Sequence, residues 1–276
     1  MTRPSKAAAL ALCAVLLLAA CSSKESKEAD RRETTGTTQE QASATTEAPA
    51  KTATTVDTDN DEELARSALI TVSDLPPGEW TTGSTDSSAG NDSDGAGQLR
   101  KVPSCKKLVE DPKAIEASST GRASVEFSRG ADSQIQISND VELWPSAETV
   151  KQIGTLTDAP GFQECMSDAI SSQMADSAES PFAPSGFQVS GFNVGVDAES
   201  AGVDFITGVT IKFNLSIEEM TGSGTVRMVF IGSGRGLATV SLMGFEMPSL
   251  SEPVNLDSID LAKPVKAAAA KLAKIT

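Results

Sequence analysis

Histidine is missing from this chain of 276 residues, and its absence removes several kinds of catalysis at once. The Ser-His-Asp and Cys-His arrangements both need an imidazole that takes the proton from the nucleophile. No serine stands in a G-x-S-x-G sequence. Ser104 and Lys107 match S-x-x-K, but no S-D-N or K-T-G sequence accompanies them, so Ser104 is better explained as a helix N-cap. We therefore predict that the protein is not an enzyme.

Three polar segments resemble ligand-binding loops, but each lacks a residue that its loop needs. DTDNDE at 57–62 has no glycine at its sixth position, and NDSDG at 91–95 is followed by Lys101 where calcium would need a glutamate. GSGRG at 232–236 lacks the Lys-Ser/Thr of a phosphate loop and lies between strand-like segments, so we interpret it as a hairpin turn. No metal site and no cofactor is predicted.

The first 20 residues have the parts of a secretory signal, with basic residues, a short apolar run and a small-residue end. A helix over 7–20 spans about 21 Å, which is less than the roughly 30 Å hydrocarbon core of a bilayer. LAAC, ending at Cys21, resembles the lipobox of bacterial lipoprotein precursors. The resemblance implies diacylglycerol on Cys21, removal of residues 1–20, and a location on the cell membrane outside the cytoplasm. The alternative is an ordinary signal peptide with a chance cysteine.

Residues 21–60 lack the apolar side chains that an ordered segment buries. Between 22 and 60 there are ten threonines, no aromatic residue and one large aliphatic residue, Val56. Such a composition does not offset the entropy of ordering, so we predict a disordered tether with a reach of roughly 35 Å. The tether would separate a folded domain from the membrane.

Residues 61–276 form the predicted single domain, which holds all nine phenylalanines and both tryptophans. Its 16 basic and 30 acidic side chains give a net charge of −14, so no nucleic-acid partner is predicted. Once Cys13 and Cys21 are assigned to the signal, Cys105 and Cys165 remain. An exported domain favours a disulfide between them, stabilising by roughly 4 kcal/mol in the chain-entropy model. A free thiol or metal ligation are the alternatives.

Apolar periodicity predicts the elements of the domain. Helices are expected at 61–70, from Cys105, after Ser146, over 162–170 with Cys165 on the buried stripe, and at the C-terminal end. Residues 81–99 are predicted to form a loop. Period-two patterns predict strands near 125–127, 135–143, 186–197 and 203–217, then two more after turns at 222–224 and GSGRG. The expected class is α+β, with an antiparallel sheet, a C-terminal meander and about four to five helices on one face, including a C-terminal helix.

Three features occur in an order that is similar to a known family. They are VELWPSAETV at 141–150, GFQECM at 161–166 and the closing Lys/Ala-rich helix. Together they resemble the extracellular sensor-like domain of actinobacterial proteins, including the outer domain of mycobacterial Ser/Thr kinases. The resemblance implies an α+β fold and an extracytoplasmic recognition role. That domain has a second disulfide, for which this chain has no cysteines, so its ligand cleft is not carried over. The fold resembling photosystem II oxygen-evolving subunits is a second possibility.

The main functional hypothesis is therefore a membrane-anchored, non-catalytic recognition module for an envelope ligand or protein. The alternative is a carrier of an apolar ligand such as an envelope lipid, because the strand at 203–217 has a continuous apolar face. Trp80 and Trp144 would then line a cleft or, in the plainer interpretation, act as partly buried anchors. A carboxylate-based hydrolase stays the enzymatic alternative, and it requires two facing acids in a concave site.

Overall fold

The computed structural model describes residues 60–88, 102–105, 108, 119–130, 135–176, 185–217, 220–246 and 256–276. Seven strands in these ranges form one sheet: β1 Thr81–Ser88, β2 Gly121–Arg129, β3 Ile135–Leu143, β4 Ser185–Phe192, β5 Phe205–Ile217, β6 Met220–Ser233 and β7 Gly236–Glu246. Their spatial order is β1-β2-β3-β7-β6-β5-β4, and every neighbouring pair is antiparallel. Strands β5, β6 and β7 are neighbours in sequence and in space, which confirms the predicted C-terminal meander.

Five α-helices lie in the same part of the chain: α1 Asp61–Ser67, α2 Ala147–Asp158, α3 Phe162–Asp176, α4 Ala198–Ala201 and α5 Ala262–Leu272. This confirms the α+β class and the C-terminal helix. Ser146 precedes α2 as the predicted cap, and its Oγ accepts the Thr149 N–H at 3.3 Å. Three short 3₁₀ turns accompany the helices, at Val72–Asp74, Pro103–Cys105 and Leu256–Ser258.

Helices pack on both faces of the sheet. On β7, Ala238, Val240 and Leu242 belong to a core shared with α1 and α5. Met243 and Phe245 point the other way and pack with residues of α3. The expectation that helices cover one face is therefore wrong. Strands β6 and β7 are apolar at successive positions near their centres, which is typical of strands that are buried on both faces.

Two predictions between 81 and 105 differ from the structure. Thr81–Ser88 form the edge strand β1 instead of a loop, because pairing with β2 uses the backbone and does not need apolar side chains. Cys105 ends the 3₁₀ turn Pro103–Cys105 instead of opening a helix, so Ser104 is no N-cap there. Lys107 lies outside the described residues.

A third difference concerns Gly222–Gly224, which lie inside β6 and do not form a turn. Gly224 faces Phe213 across the β5–β6 pair, and a Cβ at Gly224 would lie 2.3 Å from that ring. Gly232 faces Phe205 in the same way, with a Cβ position 2.0 Å from the ring. These glycines make room for phenylalanine rings, so glycine in this strand marks close packing instead of chain reversal.

Asp61, the first residue of α1, is fully buried and fastens the helix to the meander. Arg235 lies in the β6–β7 turn and donates from Nη1 to Oδ2 at 2.7 Å and from Nη2 to Oδ1 at 2.5 Å. The Thr120 hydroxyl also donates to Oδ2. Burial alone raises the pKa of Asp61, but the hydrogen bonds from Arg235 and Thr120 and the charge of Arg235 outweigh it, so the pKa lies below its ordinary value.

Candidate functional site

A cavity of 460 Å³ lies beyond the last residue of β4, where the neighbouring strand β5 has no partner on that side. The last β4–β5 pair joins Phe192 to Gly208, whereas β5 begins at Phe205. Residues 205–207 therefore pair with β6 but not with β4. The joint between α2 and α3 lies beside this opening, because Thr157 and Asp158 at the end of α2 and Phe162 at the start of α3 line the cavity.

Phe205 holds α2 against the sheet at this place. A Cβ at Gly154 of α2 would lie 2.6 Å from the Phe205 ring, and a Cβ at Gly232 of β6 would lie 2.0 Å from it. The ring therefore lies between two glycines, one on the helix and one on the neighbouring strand. Any larger residue at either position would push α2 away from the sheet, because the interior is close-packed. This contact sets the position of Asp158 one turn later.

Apolar side chains form much of the wall. Gly208 allows two of them to approach, since a Cβ there would lie 2.9 Å from both the Phe192 ring and the Val194 side chain. The guanidinium carbon of Arg227 lies 4.3 Å from the centroid of the Phe192 ring, and this cation–π contact holds the ring in place. The apolar lining residues are Phe162, Phe192, Val194, Val196, Ile206 and Val209.

Polar side chains lie between these apolar residues and at the rim of the cavity. The Thr207 hydroxyl donates to Asp158 Oδ1 at 3.4 Å. Asn193 Oδ1 accepts the Gly195 N–H at 2.7 Å, which leaves its amide NH₂ to face a ligand or water. Gln163 is exposed, and its Nε2 lies 3.7 Å from a Cβ built at Gly191. Small-molecule sites usually combine apolar walls with a few hydrogen-bonding groups, and the lining of this cavity has a larger polar share than that.

The charged and hydroxyl groups of the lining make few contacts with one another. Asp158 is exposed, and its side-chain contact with the lining is the long hydrogen bond from Thr207. Among the described residues that line the cavity, Asp158 is also the only acid, so the facing pair that a carboxylate-based hydrolase needs is not found there. Within the same described part of the chain, no three metal-binding side chains are grouped.

A second group of charged residues lies on β2 and β3, away from the cavity. Arg122 lies 3.3 Å from Asp140 and 3.7 Å from Glu142, so two acids share one guanidinium. Burial raises the pKa of Asp140 above its ordinary value, and the Arg122 charge offsets this only in part. Burial raises the pKa of Glu142 as well. These three residues form an ion cluster on the sheet, in which burial disfavours the charged form of both acids. None of them lines the cavity.

The two cysteines of the domain are joined. The structure pairs Cys105 with Cys165 at a Cα–Cα distance of 4.6 Å. Both residues are buried, and they pack with Val102 and Ala169 in a small core of their own. The disulfide fastens the first turn of α3, which carries Phe162 and Gln163, to the turn Pro103–Cys105. It therefore supports one wall of the cavity without lining it.

Neither tryptophan lines the cavity. Trp80 packs at the edge of the larger core, its Nε1 donates to the Pro76 carbonyl at 2.9 Å, and Arg129 lies 5.1 Å from its ring centroid. Trp144 follows β3, and its backbone N–H donates to the Arg235 carbonyl at 2.9 Å. Its Nε1 is buried and has no hydrogen-bond partner in the described part of the chain. Trp80 therefore fits the anchor interpretation, and Trp144 is partly buried without a comparable side-chain bond.

The structure describes some of the segments that resemble ligand-binding loops, and others lie outside the described residues. The GSGRG segment contributes the β6–β7 turn, as predicted, and its arginine binds Asp61. Asp61 belongs to the calcium-like segment 57–62, and its carboxylate is fully engaged by protein donors. Cys21, the tether, the rest of that segment before Asn60, and residues 91–95 lie outside the described residues. The predicted lipid anchor therefore stays a prediction.

The apolar face of β5, predicted to line a lipid cavity, is largely core. Val209, Ile211 and Phe213 are exposed by 3%, 0% and 6%. They pack with Ile170 of α3 and with residues of β6 and β7. Of these three residues, only Val209 also lines the cavity. Sequence reasoning missed the cavity itself, and the available signals were Gly191 and Gly208, glycines on neighbouring strands that do not form turns.

No family model and no curated protein matches the chain. A solved structure that it resembles is the extracellular domain of PknH from Mycobacterium tuberculosis, with a TM-score of 0.40 and 10% identity, covering 78% of this chain and 95% of that one. At this TM-score the likeness carries no argument about function, which has to come from the site. None of the helices in the described ranges has the length and apolar character to cross a bilayer.

Proposed function

We propose that the protein is a membrane-tethered, non-catalytic binding module that holds a small envelope ligand in the cavity beside the end of β4. The observation that carries the proposal is the cavity, whose 460 Å³ falls within the roughly 300–1,000 Å³ of small-ligand sites. Its walls combine phenylalanine rings with amide, hydroxyl and carboxylate groups. Because the contact between Thr207 and Asp158 is a long hydrogen bond to an exposed carboxylate that no third lining residue orients, the cavity suits recognition better than reaction.

The N-terminal sequence supports the location in this proposal. Cys21 would carry the lipid that holds the protein at the membrane, and residues 22–60 would let the domain reach ligands in the envelope. The net charge of −14 on residues 61–276 keeps the domain from adhering to anionic headgroups, so the lipid would be the sole membrane contact.

Ligand capture with matched leucine variants tests the proposal. Gly191 lines the cavity, and a Cβ there would meet nothing closer than 3.7 Å, so Gly191→Leu fills space without displacing the backbone. Ser190→Leu is the control, because Ser190 is the neighbouring residue on the opposite face of β4 and is exposed. Full-length wild-type protein and both variants are incubated with envelope extract and washed, and the small molecules released by heat are identified by mass spectrometry.

The proposal predicts at least one compound that wild type and Ser190→Leu retain and Gly191→Leu does not. Equal recovery from all three proteins, or no retained compound, would show that the cavity is not a ligand site. Circular dichroism of Gly191→Leu checks that the sheet is intact, since loss of the fold would also remove binding. The readout identifies compounds without assuming their class.

A further inference from the structure

The chemistry of the cavity lining distinguishes between classes of ligand. We infer that the cavity takes a neutral, hydroxyl-rich ligand of one or two sugar rings. This inference rests on the proposed function, because it names the ligand class of that same cavity. Its supports are the charge at the lining, the mixture of hydrogen-bond donors and acceptors, and the shape and polarity of the walls.

The charge at the lining disfavours an anionic ligand. Among the described lining residues, Asp158 carries the only formal charge, and it is negative. The nearby guanidinium of Arg227 lies against the Phe192 ring and does not line the cavity. The C-terminal end of α2 carries a partial negative charge and the N-terminal end of α3 a partial positive charge, and both lie beside the cavity. These partial charges oppose each other, so the Asp158 carboxylate sets the sign of the local electrostatic potential. The net charge of −14 on residues 61–276 acts in the same direction.

The donors and acceptors disfavour a simple cation. The side-chain amide of Gln163 has no hydrogen-bond partner among the described contacts, so it offers an acceptor oxygen and two donor hydrogens. Asn193 offers its NH₂ group, because its oxygen already accepts the Gly195 N–H. An ammonium would pair with Asp158 but would gain nothing from the two amide NH₂ groups, which belong to exposed residues and would stay hydrated. Hydroxyl groups donate and accept, so a polyol matches Asp158, Gln163 and Asn193 together.

The walls account for the ring shape of the ligand. Phe162 and Phe192 are both half-buried and present part of their aromatic surface to the cavity. Sugar rings expose C–H groups on their faces and hydroxyl groups around their edges. A lining that mixes aromatic rings with polar groups can therefore contact the C–H faces through the rings and hydrogen-bond the edge. A fully apolar ligand such as a lipid chain would gain no hydrogen bond from Asp158, Gln163 or Asn193, so it would use only part of the lining.

Saturation-transfer difference NMR on the purified full-length protein tests the ligand class. The protein is kept in detergent micelles whose headgroup is not a sugar. The probes are trehalose, maltose and cellobiose, with choline as the cationic comparison and inorganic phosphate as the anionic one. Gln163→Ala removes one amide, and because Gln163 is exposed and makes no described hydrogen bond, the fold should not depend on it. Gln188→Ala is the matched control, since Gln188 is an exposed glutamine on β4 that does not line the cavity.

The inference predicts saturable binding of at least one disaccharide, weakened about tenfold in Gln163→Ala and unchanged in Gln188→Ala. Binding of choline or phosphate without any disaccharide would overturn the ligand class, as would disaccharide binding that both glutamine variants leave unchanged. In those cases Gly191-dependent capture of another compound would leave the proposed binding function standing. Loss of Gly191-dependent capture would instead remove the proposed function itself.

Discussion

Replacing Arg235 by alanine should destabilise the protein more than the loss of a surface ion pair does. The substitution leaves Asp61, which is fully buried, without its guanidinium partner. Removing one partner of a buried ion pair costs about 3–5 kcal/mol. The Arg235 side chain is 18% exposed and the Thr120 hydroxyl still donates to Asp61, so we expect a value near the lower limit of that range. About 3 kcal/mol corresponds to roughly a hundredfold change in the folding equilibrium constant.

Urea unfolding followed by circular dichroism measures this change. Glu62→Gln is the control, because Glu62 pairs with Arg66 in α1 at 2.9 Å while both side chains are well exposed, at 43% and 54%. Such an i,i+4 pair contributes about 0.5 kcal/mol or less. The double variant Asp61→Asn with Arg235→Ala should be more stable than Arg235→Ala alone, because the stranded charge is gone. If Arg235→Ala lies within about 1 kcal/mol of Glu62→Gln, the reasoning about Asp61 is refuted.

The pH dependence of the same variant has a definite sign. The pKa of Asp61 is lowered in the folded state, so the stability it contributes is present above its unfolded value and is lost as pH falls through the folded value. In Arg235→Ala the burial and the hydrogen bond from Thr120 remain, but the hydrogen bonds and the charge of Arg235 do not. The stability difference between wild type and variant should therefore be full at neutral pH and shrink as pH falls from the folded-state pKa of Asp61 in the variant to its lower folded-state pKa in the wild type. A difference that stays constant from neutral to acid pH would contradict the ionic explanation.

The remaining predictions concern other parts of the chain. Asp140→Asn should gain stability relative to wild type as pH rises from about 4 towards 7, because burial raises the pKa of Asp140 in the folded state; parallel pH curves would contradict this. Cys105 and Cys165 should resist alkylation until the protein is reduced, and Cys105→Ser should cost roughly 4 kcal/mol or less in urea unfolding. Gly224→Ala should cost about 1–3 kcal/mol, because its methyl group would overlap the facing phenylalanine ring, and an unchanged midpoint would refute that packing. Globomycin should cause the unprocessed precursor to accumulate if Cys21 is lipidated, and normal processing would remove the lipoprotein prediction.

Patterns along the chain predicted the fold well where one face of an element is buried. The stripe through Cys165 predicted α3, and the alternation at 203–217 predicted β5 together with the meander. Polar Thr81–Ser88 was misassigned as a loop, because an edge strand is held by backbone pairing that leaves no apolar signal. Gly222–Gly224 was misassigned as a turn, because the local sequence does not show that a phenylalanine lies across the strand pair.

The cavity could not be predicted from the sequence, because its position depends on how two strands pair and not on the local pattern. Its walls come from residues between 157 and 209, and their meeting depends on where β4 stops against β5. That end point is a matter of register between strands, and the two strands have unequal lengths. Periodicity assigns side chains to faces, but it does not state which residue of a longer strand is left unpaired. Gln163 and Asn193, to which the proposal assigns hydrogen bonds with the ligand, are ordinary polar surface residues until that geometry is known.

The close packing around Phe205 explains why the cavity is formed before any ligand arrives. Gly154 and Gly232 allow the ring to bring α2 onto the sheet, and Gly208 allows Phe192 and Val194 to close over β5. Each of these contacts is made by the protein alone, and all except that of Val194 join helices and strands. A binding site built in this way does not have to be ordered by its ligand, so little of the binding free energy is lost to conformational entropy. Weakly interacting neutral ligands, whose hydrogen bonds mostly replace those with water, depend most on such preorganisation.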